Sequence, residues 1–481
     1  MINGFRKLKE RYRFLSKAKR ATFWITLSSF VQRGISFITV PIFTRVLSAA
    51  DYGTVSVYSS WETVAVYLVT LGVTYGGFNN GMIKFKDDRE GYTSSVMGLV
   101  TAMGALWLAA CLLLSGQVTL LTGLPLALIV LLFVEVVSSC IYDVWVSRMK
   151  FDFEYRRMVV ASLLLAVLCP ALAILLVSFL RDKVLARVAS FVAVEAAFAL
   201  VLGVAMMRRG GKVFSWEYWK FTLVFNIPLL PHYLSQVVLS SSDRILIGNM
   251  CSASDAGIYS IAYSVGMVMT LLTNSLNSTV VPWLYRKLDG KEYDRIRKMS
   301  VVLLGGIASA ILFVDALAPD IVAILAPPEY GEAMSLVPVI SASVFFMFVY
   351  SYCSNIEFFY EKRGLATAAS VLAAVLNVIL NVILIPVFGY QVAGFTTMAC
   401  YIAMSVAHYV FAQRVARAEE GVAILDGRKI WGIGIAFCVV SVLFSGLYEF
   451  AFARYGLVVA LLAVAIWKRG AIVSKLKEGL S

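Results

Sequence analysis

The sequence predicts an all-α integral membrane protein with about fourteen transmembrane helices, organised as two parallel six-helix repeats and two further C-terminal helices. Three observations predict this fold. The 481 residues are 60% hydrophobic and only 15% charged, apolar runs long enough to cross a bilayer follow one another, and one polar turn occurs twice at a fixed offset. About 20 consecutive apolar residues span a bilayer as a helix. The breaks between runs are too short for a soluble domain.

The apolar runs give the candidate spans in order. They lie at about residues 22–44, 54–75, 92–115, 119–141, 158–180, 184–207, 221–247, 257–281, 299–318, 333–358, 365–387, 391–413, 430–448 and 455–467. The first run follows a basic segment and is too long for the apolar region of a signal peptide, so we expect it to be retained. An even number of spans places both termini on one side of the membrane.

The distribution of Lys and Arg predicts which side that is. Basic residues cluster at both termini and in alternate connections, whereas the connection from Ala316 to Glu332 carries only acidic charges. The positive-inside rule therefore predicts an inner (cytoplasmic) membrane protein with cytoplasmic termini. The net charge of +13 follows from this topology. Because the charges are spread over many short loops, no nucleic-acid partner is expected.

The repeated turn aligns the two halves of the chain. "SAADYGTVS" begins at Ser48 and "SASDAGIYS" begins at Ser252, an offset of 204 residues (252 − 48). Since six spans separate the two copies, both halves enter the membrane in the same direction. We expect Asp51 and Asp255 to act as N-caps of the helices that begin there, because a side-chain oxygen can accept from the free N–H groups of a first helical turn.

The spans and the repeat together predict the domain organisation. The predicted parts are a basic N-terminus (1–21), an N-lobe (22–207), a linker (208–220), a C-lobe (221–413), a second linker (414–429), an appended helix pair (430–467) and a C-terminal tail (468–481).

Three segments resemble a known family. They are "FVQRGISFITVPIFTRVLSAADYGTVSVYSSW" from Phe30, "NIPLLPHYLSQVVLSSSDRILIGN" from Asn226 and "LNVILNVILIPVFGYQVAG" from Leu376. They are similar to the polysaccharide-biosynthesis flippases, often called Wzx-type, of the multidrug/oligosaccharidyl-lipid/polysaccharide exporter superfamily. The resemblance implies MATE-like lobes around a cavity and alternating access. It also implies transfer of an undecaprenyl-diphosphate-linked oligosaccharide to the outer leaflet for O-antigen, capsule or exopolysaccharide assembly.

Charged residues inside spans are costly and are the first candidates for function. Arg33, next to Gln32, lies near the middle of the first span and aligns with Val237 in the repeat. A guanidinium can hold a phosphate through two parallel hydrogen bonds, so Arg33 is the leading diphosphate contact. The structural alternative is an ion pair with an intramembrane carboxylate such as Glu62.

Other candidates follow the same reasoning. Asp243 and Arg244 are adjacent in the seventh span, so they point about 100° apart on a helix. Each is expected to contact a partner across the lobes, as a gate or a ligand contact, although a snorkelling Arg244 is nearly as favoured. Arg187 and Glu195 lie about two turns apart on one face of the sixth span and could share a polar lining.

Further polar residues in the spans are weaker candidates. Asn377 and Asn381 share a helix face and suit sugar hydroxyls, but inter-helical hydrogen bonding is the commoner use. Glu62, Glu195 and Asp243 are gating or ion-coupling candidates. Three further carboxylates are closer to span ends and are given less weight: Glu135, Asp315 and Glu357. Three prolines are expected to interrupt the first and seventh spans: Pro41, Pro228 and Pro231.

The chemistry expected of the chain is transport. The sequence carries no P-loop, and no cofactor, metal site or enzymatic activity is expected. Expected partners are a polyprenyl-diphosphate-linked saccharide, membrane lipids, and a polysaccharide polymerase with its chain-length regulator. One alternative is a multidrug or cation antiporter of the same superfamily. Another is a membrane enzyme of polysaccharide assembly, which would need a larger extramembrane segment.

Overall fold

The computed structural model describes residues 16–75, 77–467 and 470, and in these residues the chain forms α-helices joined by short turns. The helices are α1 (Lys17–Val46), α2 (Ala49–Thr70), α3 (Gly77–Lys84), α4 (Arg89–Leu113), α5 (Ser115–Thr122), α6 (Leu126–Phe151), α7 (Tyr155–Phe179), α8 (Lys183–Gly210), α9 (Trp216–Asn226), α10 (Leu230–Met250), α11 (Ala253–Asp289), α12 (Tyr293–Ala316), α13 (Ala318–Leu325), α14 (Ala333–Phe359), α15 (Arg363–Phe388), α16 (Val392–Glu420), α17 (Gly427–Gly446) and α18 (Ala451–Trp467). Most of the predicted basic N-terminus and C-terminal tail lie outside the described residues.

Twelve helical segments of the described chain are long and apolar enough to cross a membrane. The α9–α10 segment counts as one of them. Two predicted spans are not among the twelve: α2, which carries two acidic residues and several hydroxyl side chains, and α18, which is a shorter apolar helix of 17 residues. The multi-span all-α fold is confirmed, and fourteen remains an approximate count.

The chain divides into two compact units, and the boundary falls inside α10, between Val237 and Val238. Unit 1, up to Val237, has a core that includes Tyr92 and Trp145. Unit 2, from Val238, has a core built around Trp283 and Phe345. Each core buries the facing stripes of its own helices, which is how amphipathic helices pack.

The repeated polar turn begins a helix in each unit. In both copies a serine is the N-cap, because Ser48 accepts from the Asp51 N–H and Ser252 accepts from the Asp255 N–H, each at 3.1 Å. The aspartates are therefore the third residues of their helices, not the N-caps we expected. The Asp51 carboxylate accepts from the Ser48 backbone N–H at 3.3 Å, which completes a capping box. Such a cap stabilises a helix by about 1 kcal/mol.

Two membrane segments of unit 1 are interrupted, and the interruptions are in contact. Helix α2 ends at Leu71 and Gly72, which both have positive φ (54° and 62°). Helices α9 and α10 are separated by a 3₁₀ turn that contains Pro228. Gly77, the first residue of α3, lies so close to Asn226 that a Cβ at this position would be 2.3 Å from the Asn226 side chain.

The other prolines predicted to interrupt helices do not do so. Helix α1 continues through Pro41 to Val46, and Pro231 is the second residue of α10. A proline is tolerated in the first turn because its missing N–H would have no intrahelical partner there. Only the region around Pro228 behaves as predicted.

Polar contacts fasten the two C-terminal helices to unit 2. The buried Asp315 carboxylate accepts from the Ser441 hydroxyl of α17 at 2.7 Å. The Arg454 guanidinium of α18 donates to the Ala316 carbonyl at 2.8 Å and to the Asp320 carboxylate. This guanidinium is the main reason why the pKa of Asp320 lies below its usual value.

Candidate functional site

Unit 1 contains a cluster of ionisable residues where α2, α6 and α8 pack together. We call it the unit 1 polar cluster. It comprises Tyr58 and Glu62 of α2, Glu135 of α6, and Arg187 and Glu195 of α8. The sequence places these residues on helix faces that the apolar packing turns toward one another. The structure thus brings together three predicted site residues, namely Glu62, Arg187 and Glu195.

The geometry of this cluster is specific. The Tyr58 hydroxyl donates to the Glu135 carboxylate at 2.5 Å. The Arg187 guanidinium carbon lies 3.2 Å from the ring centre of Phe191 and 4.8 Å from that of Phe43, an arrangement that aromatic rings favour for a cation. One Glu195 carboxylate oxygen is buried with no hydrogen-bond partner among the described residues.

Acidic groups outnumber the one basic group in this cluster. Glu62 is close enough to Glu135 and Asp143 to interact electrostatically with both carboxylates, whereas Arg187 supplies positive charge to Glu195. Like charges at this depth need a cation or a proton for balance. The cluster can therefore hold and release positive charge.

Unit 2 contains a second buried polar cluster, which we call the Asp243 cluster. The Asp243 carboxylate of α10 accepts from the Tyr259 hydroxyl at 2.6 Å, from the Thr397 hydroxyl at 2.7 Å and from the Asn381 amide at 2.7 Å. Asn377 donates to Thr397 at 2.9 Å. Three helices besides α10 thus converge on one carboxylate, and its exposed fraction is only 1%.

The structure shows how each predicted residue of this region is used. Both asparagine amides make inter-helical hydrogen bonds, which is the commoner of the two uses considered for them. Asp243 and Arg244 point apart, since the Arg244 guanidinium carbon lies 4.5 Å from the ring centre of Tyr263 and its Nη2 donates to the Ser240 carbonyl at 2.9 Å.

Arg33 is not a member of the unit 1 polar cluster. It is exposed on α1 and makes no ion pair with any residue that the structure describes, so the alternative pairing with Glu62 is not observed. Gln32 is half-buried and donates to the Ser28 carbonyl at 3.2 Å. A charged side chain in mid-span without a protein partner needs water or an anion nearby.

Three carboxylates that the sequence places closer to span ends are less exposed than that position predicts. Asp315 and Glu357 are fully buried in unit 2, and Glu135 is a member of the unit 1 polar cluster. The Glu357 carboxylate and His408 Nδ1 form a hydrogen bond of 2.9 Å, and both side chains are buried. Their helices pack deep in the unit at these positions, so distance from the span end does not measure solvation.

Sequence reasoning missed the hydroxyl groups that serve these carboxylates. Tyr58, Tyr259 and Thr397 donate to buried acids, but nothing in their local sequence distinguishes them from ordinary residues of a membrane helix. Tyr259 does occur within the repeated turn, sixteen residues after Asp243. The repeat was the one available signal for it.

The fold of the chain is shared with solved membrane transporters. The structure matches "Lipid II flippase MurJ, inward closed conformation" with a TM-score of 0.68, at 10% identity over 93% of this chain and 99% of that one. It matches an inward-facing multidrug resistance MATE family transporter of the MOP superfamily with a TM-score of 0.56, at 12% identity over 82% of this chain and 99% of that one. It also matches a MOP superfamily transporter from Pyrococcus furiosus with a TM-score of 0.53, at 12% identity over 84% of this chain and 97% of that one. At these identities the likeness shows the fold.

The family follows from the sequence. The profile of the family described as "Polysaccharide biosynthesis protein" matches residues 18–288, which is more than half of the chain, and the chain belongs to this family. It is also 21% identical over 277 residues to "Lsg locus putative protein 1" of Haemophilus influenzae. That match covers 54% of this chain and 63% of the relative.

Proposed function

We propose that the chain is a flippase. It moves an undecaprenyl-diphosphate-linked oligosaccharide from the inner to the outer leaflet of the cytoplasmic membrane for O-antigen, capsule or exopolysaccharide assembly. Membership of the polysaccharide biosynthesis family and the transporter fold support the class of function. The polymerase and its chain-length regulator are proposed to use the product on the outer side.

Arg33 is the observation that carries this proposal. Its guanidinium is exposed at the middle of α1, has no ion-pair partner in the described chain, and is flanked by exposed apolar side chains such as Phe30 and Phe37. A lipid diphosphate supplies an anion beside a long apolar tail, which matches this mixture of charge and hydrocarbon. Arg187 and Arg244 are proposed as secondary contacts, with the amides of Gln32, Asn377 and Asn381 for the sugar.

Transport by Arg33 variants in proteoliposomes tests the proposal. Arg33→Ala should slow the leaflet transfer of a fluorescent polyprenyl-diphosphate disaccharide roughly tenfold or more, because a charge-assisted hydrogen bond contributes about 1.5–3 kcal/mol. Arg33→Lys should retain part of the rate because it keeps the charge but not the bidentate geometry.

The matched control is Arg209→Ala, which removes an exposed arginine at the end of α8. It should transfer the lipid at the wild-type rate. A folded, membrane-inserted Arg33→Ala protein that transfers within twofold of wild type would contradict the role of Arg33. If the wild-type protein moves no labelled lipid at all, the flippase proposal itself is wrong.

The unit 1 polar cluster favours a second candidate function, the cation or multidrug antiporter. Its carboxylates outnumber its one arginine, which is the charge balance that a cation site requires. The same proteoliposomes distinguish the two candidates. Efflux of an organic cation without movement of the labelled lipid would favour the antiporter.

We also propose that cations couple to transport through Asp243, with Glu62 and Glu195 as the unit 1 counterparts. The Asp243 cluster offers carboxylate, amide and hydroxyl oxygens to a proton or a hard monovalent cation, and such cations prefer oxygen ligands. Asp243→Asn should remove the dependence of transport on an imposed Na⁺ or H⁺ gradient, whichever gradient drives the wild type. Asp255→Asn, a change in the helix cap of the same unit, should preserve that dependence. Unchanged gradient dependence in Asp243→Asn would exclude Asp243 as the coupling group.

A further inference from the structure

An open groove runs between α6, α7 and α8 of unit 1, away from the polar cluster. Its volume is about 450 Å³, and its wall is apolar except at one end. Val160 and Leu164, one helical turn apart on α7, are 58% and 45% exposed, and Phe198 and Leu202 of α8 face them. Arg156 and Arg157 form the polar end. We call this feature the Arg156 groove.

A second cavity shares Arg156 with the groove. It has a volume of about 300 Å³ and lies where the start of α1 meets the start of α7. Lys17 and Arg20 of α1 line it together with Arg156, Tyr155 and Glu154. A basic cavity and the charged end of an apolar groove therefore share Arg156.

Few carboxylates of the described residues lie near Arg156 and Lys17. Arg156 makes no ion pair with the residues that the structure describes, and Arg157 is 4.0 Å from the Glu154 carboxylate. Lys17 donates to the Asp152 carbonyl at 3.1 Å, while the Asp152 carboxylate is bound by Arg148. Glu154 is thus the single carboxylate among the residues that line the two cavities. The first turn of α7 has no side-chain cap either.

We propose that the Arg156 groove binds one anionic phospholipid of the cytoplasmic leaflet. The phosphate lies between Arg156, Lys17 and Arg20, and an acyl chain follows α7 past Val160 and Leu164. Basic pockets between membrane helices at the predicted cytoplasmic end suit anionic head groups. This end is the one where Lys and Arg cluster, which is the basis of the predicted topology.

The lining argues for a phospholipid and against a glycolipid. Among the described residues, neither cavity is lined by Asn, Gln, Ser or Thr, and those are the neutral side chains that bind sugar hydroxyls. The groove along α7 provides contact only for hydrocarbon. The site thus has recognition elements for a phosphate and a fatty acyl chain.

Lipid binding to the purified full-length protein in detergent tests the proposal. Native mass spectrometry measures the affinity for dioleoyl phosphatidylglycerol and for dioleoyl phosphatidylcholine. The wild type should prefer phosphatidylglycerol. The double variant Arg156→Gln, Arg157→Gln should lose roughly tenfold or more of that affinity, because each basic residue at an anionic lipid contributes several-fold.

Matched controls separate a built site from diffuse attraction. Arg208→Gln, Arg209→Gln removes the same charge from exposed residues at the end of α8, and its affinity should stay within twofold of wild type. Arg156→Lys, Arg157→Lys should recover most of the binding. An equal loss in the α8 control would overturn the proposal, because the attraction would then depend on net charge alone.

The acyl part of the site has its own variants. Leu164→Trp fills the groove and should weaken phosphatidylglycerol binding, whereas Leu175→Trp, at a 53% exposed position of the same helix, should not.

If inorganic phosphate displaces phosphatidylglycerol and Leu164→Trp has no effect, the site binds only a phosphate and the lipid assignment fails. If a polyprenyl-diphosphate saccharide binds there in preference to phosphatidylglycerol, the assignment to a phospholipid is also wrong. Thermal unfolding of every variant verifies that it is folded.

Discussion

Buried acids in this protein are paired with donors from distant parts of the chain. Asp243 accepts from Thr397 across 154 positions, and Glu357 is bonded to His408 across 51. A buried carboxylate that loses its partner is strongly destabilising, because neither water nor another side chain replaces the lost hydrogen bond. Each pair therefore fixes the relative position of two helices within unit 2.

The Glu357–His408 pair allows a direct measurement of this effect. His408→Phe should lower the free energy of unfolding by about 3 kcal/mol, since it leaves the Glu357 carboxylate buried without a partner. Thermal unfolding in detergent measures the loss as a fall in Tm. His408→Asn, which retains a donor near the position of Nδ1, should lose less. Adding Glu357→Gln to His408→Phe should recover part of the stability, and an additive double variant would contradict the pairing.

Hydropathy predicts the spans because burial in lipid requires a continuous apolar run. It does not predict where a span is broken. The run at 54–75 contains no proline, yet α2 ends at Leu71 and Gly72, which both have left-handed backbone conformations. The Tyr233 ring packs against this end, since a Cβ on Gly72 would lie 3.1 Å from it. That break depends on packing against another helix, which a local pattern does not contain.

The same limit applies to the candidate site. The composition of single spans identified Arg187, Glu195 and Asp243 as candidates, since charged residues are rare in apolar runs. The partners Tyr58, Tyr259 and Thr397 were not identified, because hydroxyl side chains are common in such runs. For the helix starts, the sequence predicts the position but not the residue that caps the helix. The repeated turn located both helix starts, although the serine and not the aspartate is the N-cap.

The hydrogen bonds of the Asp88 carboxylate at the start of α4 depend on pH. Asp88 is the N-cap and accepts from the Gly91 N–H at 3.0 Å, from Lys212 at 2.5 Å and from the Tyr218 hydroxyl at 2.7 Å. The hydrogen bond from Lys212 is the largest cause of an Asp88 pKa below its usual value. Because the folded-state pKa is lowered, the stabilisation is present above the unfolded-state pKa of about 4 and is lost as the pH falls through the folded-state pKa.

Asp88→Asn should therefore lower the Tm at pH 6, and the difference from wild type should shrink as the pH falls below about 4. Thermal unfolding in detergent between pH 3 and pH 6 measures this difference. Asp87→Asn, a change at the exposed neighbouring residue, should show no such trend. A difference that is constant over this range would show that Asp88 acts only as a neutral cap.

At the scale of the whole chain, the charge pattern predicts the orientation of the protein in the membrane. The connections rich in Lys and Arg alternate with connections that are nearly free of them, so one end of every span is basic. The exposed Cys251 follows α10, directly before the second copy of the repeated turn. The proposed topology places this thiol on the outer side.

A membrane-impermeant maleimide should therefore label Cys251 in intact cells, and Cys251→Ser should remove that label. Asp87→Cys, introduced into the Cys251→Ser background, should react only after the membrane is permeabilised. Partial desolvation raises the pKa of the Cys251 thiol, so labelling should be faster at pH 9 than at pH 7, since the thiolate is the reactive form. Labelling of the introduced cysteine in intact cells would reverse the topology.

The contact between the two interrupted segments of unit 1 has a consequence for how the sequence can diverge. Gly77 leaves room for the Asn226 side chain, and any Cβ at position 77 would overlap it. A larger residue at position 77 is thus acceptable only together with a smaller one at position 226. Descendants of this chain should change the two positions as a pair, and a single replacement would disturb two membrane segments at once.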